Sequence, residues 1–193
     1  MPDLPELILA SSSRYRRELL QRLNLAFSSI APDVDESAEP DEGGADLAMR
    51  LAQRKASTVA AAHPSALVIG SDQVAECEHR LLGKPGSSDR ALAQLESMQG
   101  RIVVFHTAVA VALAGRMVVE RVPTEVRMKR LSRARLRKYV DADRPVDCAG
   151  AFKSESMGVI LVDYMRSDDP TALVGLPLIA TVRLLERLGV ELP

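Results

Sequence analysis

Apolar and polar positions alternate along this chain in blocks that change period. "ELILA" (6–10) is a continuous apolar run that stops in three serines, and it reads as a buried strand running into a loop. "RRELLQRLNL" (16–25) places leucines at 19, 20 and 23, a helical stripe, with Ser13 as its N-cap. "AFSSIAP" (26–32) reads as a second short strand. "PDVDESAEPDEGG" (32–44) is acidic and rich in turn formers; apolar patterning resumes at once, so it predicts an exposed loop within one domain. "ADLAMRLAQRKASTVAAAH" (45–63) is a long amphipathic helix ended by Pro64, and "ALVIGSD" (66–72) an apolar strand that ends in a carboxylate.

The second half follows the same grammar. "SSDRALAQLESMQ" (87–99) begins with cap residues and predicts a helix. Residues 101–128 alternate over a long stretch broken at Gly115, the pattern of a hairpin of two long strands. "SRARLRKYVDA" (132–142) is helical with Ser132 as cap, "GVILVDYM" (158–165) a strand, and "LPLIATVRLLERLG" (176–189) a helix with Pro177 in its first turn. Strands and helices alternate early and an antiparallel pair intervenes in the middle. That order predicts one α/β domain over 1–193, three layers deep, with a mixed central sheet flanked by helices.

Composition narrows the function classes. A formal net charge of -1 supplies no global field to recruit nucleic acid or an anionic membrane, so any anion site must be built locally. The most basic stretch, 126–140, also carries Leu131, Leu136 and Tyr139 at helical spacing, which reads as a solvated helix face rather than a nucleic-acid surface. Two isolated cysteines, Cys77 and Cys148, fit neither a disulfide framework nor a zinc site, and they point to a reducing cytoplasm. The acidic start "MPDLPELILA" does not read as a signal peptide, and no stretch approaches the ~20 apolar residues of a membrane span.

Three clusters carry candidate chemistry. A strand emptying into a helix start presents free backbone N–H groups to an anion. Ser11, Ser12 and Ser13 add hydroxyl donors there, and Arg16 and Arg17 can chelate phosphate oxygens. Three arginines around Tyr15 oppose the helix dipole unless an anion is the partner. Asp72, at the predicted strand end, can orient a water, hold a divalent cation, or both; turn formation is the alternative. Lys84 before Pro85, Lys55 on the long helix and Glu36 on the acidic loop would complete a phosphoryl-transfer set if they converge. "CAGAFKSESMG" (148–158) has small residues that admit a ligand close to the backbone and carries Lys153, a phosphate-binding candidate, and Glu155, though any polar loop has that composition.

The ordered set "LASSSRYRREL", "VDE", "RLAQRKA", "GSDQV", "GKP", "CAGAFKSE" and "LVGLPL" resembles the Maf family of nucleotide pyrophosphatases over essentially the whole chain, most closely the branch assigned to 7-methyl-GTP. The resemblance implies an elongated, Maf/ITPase-like fold with a substrate cleft, commonly dimeric. It also implies hydrolysis of a nucleoside triphosphate to a monophosphate and pyrophosphate, assisted by a divalent metal, Mg²⁺ or Mn²⁺, and a role in clearing modified nucleotides. Asp72 falls on the proton-acceptor position and Arg16 on the phosphate loop. Glu36, Lys55 and Lys84 fall on metal- or phosphate-binding positions, with Glu36 and Asp72 the candidate metal ligands. Tyr15, Gln73 and Glu155 fall on positions tied to substrate choice. Arg14 departs from the proline typical of relatives. A methylated, cationic guanine would stack on Tyr15 and donate its N1–H and 2-amino hydrogens to Glu155. The same chemistry on dTTP or UTP, and a nucleotide-binding regulator of cell division, are the rival readings.

Overall fold

The computed structural model describes residues 5–190 and Leu192; residues 1–4 of the start used in the signal-peptide reading, and both ends of the expected 1–193 domain, lie outside them. The elements are β1 (Leu7–Ala10), α1 (Arg14–Gln21), β2 (Ser28–Ile30), α2 (Gly44–Ala62), β3 (Leu67–Cys77), β4 (Arg80–Leu82) and α3 (Ser88–Met98). They continue with β5 (Ile102–Leu113), β6 (Arg116–Met128), α4 (Arg133–Asp143), β7 (Val162–Ser167) and α5 (Leu178–Arg187). The sheet runs β2-β1-β3-β5-β6-β7, with β4 on β3. The β2-β1-β3 contacts are parallel and the rest antiparallel, so the mixed α/β sheet expected from the element order is present.

The layers follow from residue parity. Leu67 and Ile69 point with Leu7, Leu9, Val109 and Val111 into a core closed by α1 and α5. Farther along that face, Ala75, Cys77, Val103 and Phe105 meet α3 and α4 in a second core. Ile8, Ala10, Val68 and Val74 point the other way, against α2. The helix presses close: a Cβ on Gly70 would lie 2.4 Å from the Ala52 carbonyl oxygen and 2.6 Å from the Ala56 nitrogen. Gly43 gives α2 no side-chain cap, and Glu76 of β3 supplies one across the layers, accepting the Gly44 N–H at 2.8 Å.

Three local expectations are corrected, and one turn is added. β3 does not end at Asp72 but continues five residues to Cys77, because Val74, Ala75 and Cys77 keep the buried pattern and pair onward with β5 and β4. The β3–β4 turn is made by Glu78 and His79, both left-handed at φ 49° and 63°, where such turns normally announce themselves with Asn-Gly. The strand expected at 158–165 starts only at Val162; Met157–Leu161 coil as a 3-10 turn, because the chain folds back and Gly158 N–H donates to the Lys153 carbonyl. Pro177 stands at the N-cap of α5 rather than inside its first turn.

Two arginines of the basic stretch are paired within the fold. Arg133 and Arg137 of α4 pair with Glu96 and Asp89 of α3, while Leu136, Tyr139 and Val140 are buried beneath. Among the described residues, no helix is long and apolar enough to cross a membrane.

Gly70→Ala should force α2 away from β3. We expect a loss of about 1–3 kcal/mol in urea unfolding, as for other overpacked interiors; an unchanged midpoint would show that the layers are not in the contact described.

Candidate functional site

β3 is paired along one whole edge by β5, but its other edge is interrupted. β1 covers Leu67 to Gly70 and β4 covers Ala75 to Cys77, leaving residues 71–74 without a strand there. The two flanking chains diverge from this window, β1 into the serine loop and α1, β4 into Gly83 and Lys84. Between them lies a cleft of about 620 Å³. Asp72 is thus displayed mid-strand, beyond the carboxyl end of β1, rather than at the end of its own strand.

The cleft gathers Ser11, Ser13, Tyr15, Arg16, Glu36, Lys55, Asp72, Gln73, Lys84 and Glu155. It does not gather Arg17 or Lys153. Arg17 lies exposed on α1, one helical step (about 100°) around from Arg16. The Lys153 ammonium donates to the carbonyls of Asp143 (2.8 Å) and Arg144 (3.3 Å), the end of α4, where a cation also complements the helix dipole.

At the centre is a charge cluster. Lys55 Nζ lies 2.6 Å from Asp72 Oδ1 and 2.5 Å from Glu36 Oε1. Lys55 is 5% exposed and Asp72 7%, so removing one partner would strand a buried charge, which typically costs about 3–5 kcal/mol. Burial pushes the Glu36 carboxyl up, but the hydrogen bond and charge of Lys55, with Lys84 and Arg16 beyond, outweigh it and hold the group below its ordinary range. Asp72 Oδ1 also faces Arg16 Nη2 at 3.9 Å, whereas none of the described residues hydrogen-bonds Oδ2. That oxygen is left to take a water.

Arg16 is aimed by the far end of the chain. Its Nε donates to the Gly175 carbonyl at 2.8 Å, and Nη1 lies 3.5 Å from Ser11 Oγ, which also accepts the Ser13 N–H at 3.1 Å. Ser13 caps α1, whose first turn holds no acidic residue. The 172–175 loop is itself fixed. Gln73 Nε2 lies within 3.0 Å of Thr107 Oγ1 and the carbonyls of Ala172 and Leu173, and Ser71 Oγ sits between the carbonyls of Ala108 (2.7 Å) and Gly175 (3.0 Å). Buried Asp169 accepts from the Thr171 N–H and hydroxyl and from the Ile179 N–H, tying the loop to the start of α5. Ser71, Thr107, Asp169 and Gly175 escaped the sequence reading; "DDPT" signals a turn, but nothing local signals which atoms it holds.

Charge divides along the cleft. Arg16, Lys55 and Lys84 surround Asp72 and Glu36, while Asp147 and Glu155 lie toward Tyr15 and Cys148. Burial pushes the Cys148 thiol up to about 12, and neighbouring Asp147 and Glu155 add to it, so the sulfur stays protonated at neutral pH. Tyr15 is raised by burial, partly offset by Arg14, whose Nη2 donates to the phenol oxygen at 2.7 Å.

Among the described residues, no three His, Cys, Asp or Glu converge as a preformed metal cage. Glu36 and Asp72, however, already bring two hard oxygens onto one cation, the Lys55 ammonium. Such a pair fits Mg²⁺ or Mn²⁺, whose remaining ligands are ordinarily water and substrate phosphate.

The acidic loop bearing Glu36 is anchored by Arg50 of α2, which binds Glu42 through Nε and Nη2, both at 2.6 Å, and the Ser37 carbonyl at 2.9 Å. Hydrogen bonding from Arg50 holds the Glu42 carboxyl down at about 2 against an ordinary 4.5. A depressed carboxylate stabilises the fold fully above its unfolded pKa and loses that contribution as pH falls through the folded one. Stability should therefore decline from about pH 4.5 towards 2, and Glu42→Gln should flatten that limb in urea titrations across pH. An identical limb in the variant would exclude this anchor.

A family model described as "Maf-like protein" matches residues 6–188. A Bordetella pertussis protein named 7-methyl-GTP pyrophosphatase is 52% identical over 192 residues, covering 99% of this chain and 96% of its own. Proteins of the same name from Aromatoleum aromaticum and Xanthomonas axonopodis pv. citri are 53% and 51% identical, covering 97% and 98% of this chain and 98% and 100% of theirs. Among solved structures, the Staphylococcus aureus Ham1 protein is similar with a TM-score of 0.46 and 16% identity, over 64% of this chain and 71% of that one.

Proposed function

The chain belongs to the Maf family, and on that premise we propose that it is a nucleoside triphosphate pyrophosphatase whose substrate is 7-methyl-GTP, released as 7-methyl-GMP and pyrophosphate. The observation that carries the reading is the division of charge in one cleft. Cations surround Asp72 at one end, and at the other an aromatic ring stands with two carboxylates and a single cation, Arg14. A nucleotide with an anionic triphosphate and a cationic base has the same division. The name shared by relatives at about half identity over nearly the full length points the same way.

In the mechanism, Asp72 Oδ2 holds a water against the α-phosphorus, while Lys55 on Oδ1, with Arg16 beyond it, fixes the carboxylate. The water oxygen bonds to the α-phosphorus and the bridging bond to the β-phosphate breaks. Pyrophosphate leaves, and the water's proton passes to Asp72 and then to solvent. The Arg16 guanidinium, pre-aimed by Gly175, faces the developing phosphate charge without having to reorganise, and the exposed Lys84 ammonium adds its charge. Three cations against two carboxylates leave this end with one net positive charge, too little for a triphosphate. A divalent cation held by Glu36 and Asp72 would neutralise charge on the phosphate oxygens. At the other end Tyr15 stacks on the base and Glu155 accepts from its N1–H and 2-amino group. Gln73 acts on substrate choice through the loop it pins, since its amide nitrogen is committed there.

Hydrolysis in heavy-oxygen water should place the label in the nucleoside monophosphate and none in pyrophosphate. Asp72→Asn should slow turnover by roughly 10²–10⁴-fold, the usual worth of a positioned base, with nucleotide binding by calorimetry retained. Label in pyrophosphate, or turnover near that of the unaltered protein, would overturn the assignment.

A further inference from the structure

One residue at the base end has no part in the mechanism above. Arg14 is the first residue of α1, where a cation opposes the helix dipole, so the helix does not explain its presence. Adjacent residues on a helix do not face each other. Yet the Arg14 side chain folds back over its neighbour, with Cζ 4.6 Å from the Tyr15 ring centroid and Nη2 donating to the phenol oxygen at 2.7 Å. Both residues line the cleft, and among the described residues Tyr15 is the only side-chain hydrogen-bond partner of Arg14. A guanidinium is a planar, delocalised cation, as is a base methylated at N7.

We infer that Arg14 is a further specificity-determining residue, an internal competitor whose guanidinium occupies the Tyr15 face and must be displaced by the base. The inference rests on the substrate reading above and deepens it. Two like charges cannot share the ring, so an incoming cationic base drives Arg14 off. Asp147, lining the same end and already acting on the Arg14 charge, is the carboxylate able to receive it. On the return path Arg14 re-stacks as the product base departs, which keeps the monophosphate from lingering. A neutral base meets the same blocked ring but not the charge repulsion, so Arg14 weakens a cationic base more than a neutral one.

The test uses nucleosides, which remove any contact between Arg14 and phosphate. Equilibrium titration of 7-methylguanosine and guanosine would be compared in the unaltered protein, Arg14→Leu, Tyr15→Leu and the double variant. An exposed cation–π contact predicts that Arg14→Leu binds 7-methylguanosine roughly two- to fivefold tighter, with a smaller gain for guanosine. In the Tyr15→Leu background, adding Arg14→Leu should restore nothing. If the unaltered protein prefers 7-methylguanosine but Arg14→Leu binds it no better, or more weakly, the competitor is overturned while the substrate reading stands. If the unaltered protein shows no preference, the substrate reading fails and the competitor falls with it.

Discussion

Buried backbone groups must be paired, and β3 meets this with a strand beside it along both edges except over residues 71–74, where one edge has none. The interruption is what makes a site. Had β1 and β4 met on that edge, Asp72 and Gln73 would sit behind a continuous sheet. Because they part, one leads away into serines and a helix start and the other into Gly83 and Lys84. The strand side chains at the break are displayed between them. Parity then assigns the work. Asp72 points to the α2 layer and meets Lys55, while Ser71 and Gln73 point to the opposite layer and hold the 172–175 loop.

The two layers are thus coupled through a few consecutive residues of one strand. Close packing at Gly70 brings α2 near enough for Lys55 to reach Asp72. On the other face, Asp169 and Thr171 fix the loop whose Gly175 carbonyl aims Arg16 back across the window. Arg16 and Lys55 approach the same carboxylate oxygen from two different helices, α1 and α2. A site assembled this way is rigid where phosphate chemistry needs fixed charges, and most adjustable at the exposed base end, where Tyr15, Arg14 and Glu155 stand.

Much of this was legible in the sequence, for identifiable reasons. β1, α1, α2 and the long hairpin carry clean periodicity, and Ser13 and Ser132 cap their helices as their spacing indicates. β4 was invisible because Glu78 and His79 do not advertise a left-handed turn. The late start of β7 was invisible because it depends on one backbone approach at Gly158. In the site, the serine loop and its arginines declared an anion by local chemistry, but the convergence of Glu36, Lys55, Asp72 and Lys84 rested on resemblance, since no local pattern encodes it. Arg17 and Lys153 share the composition of the site without its geometry; helical rotation carries one away and the end of α4 captures the other. Gly175 acts through its backbone carbonyl over more than a hundred residues of separation, and Asp169 on the backbone N–H of Ile179 ten residues on, contacts that residue type alone does not announce.

The central claim is that the division of charge along this cleft selects a nucleotide divided in the same sense. Pyrophosphate release with Mg²⁺, measured for 7-methyl-GTP, GTP, dTTP and UTP under identical conditions, tests it most directly. The account predicts the highest kcat/KM for 7-methyl-GTP, with GTP well below it because its base carries no positive charge. A kcat/KM for GTP, dTTP or UTP equal to or above that for 7-methyl-GTP would contradict it.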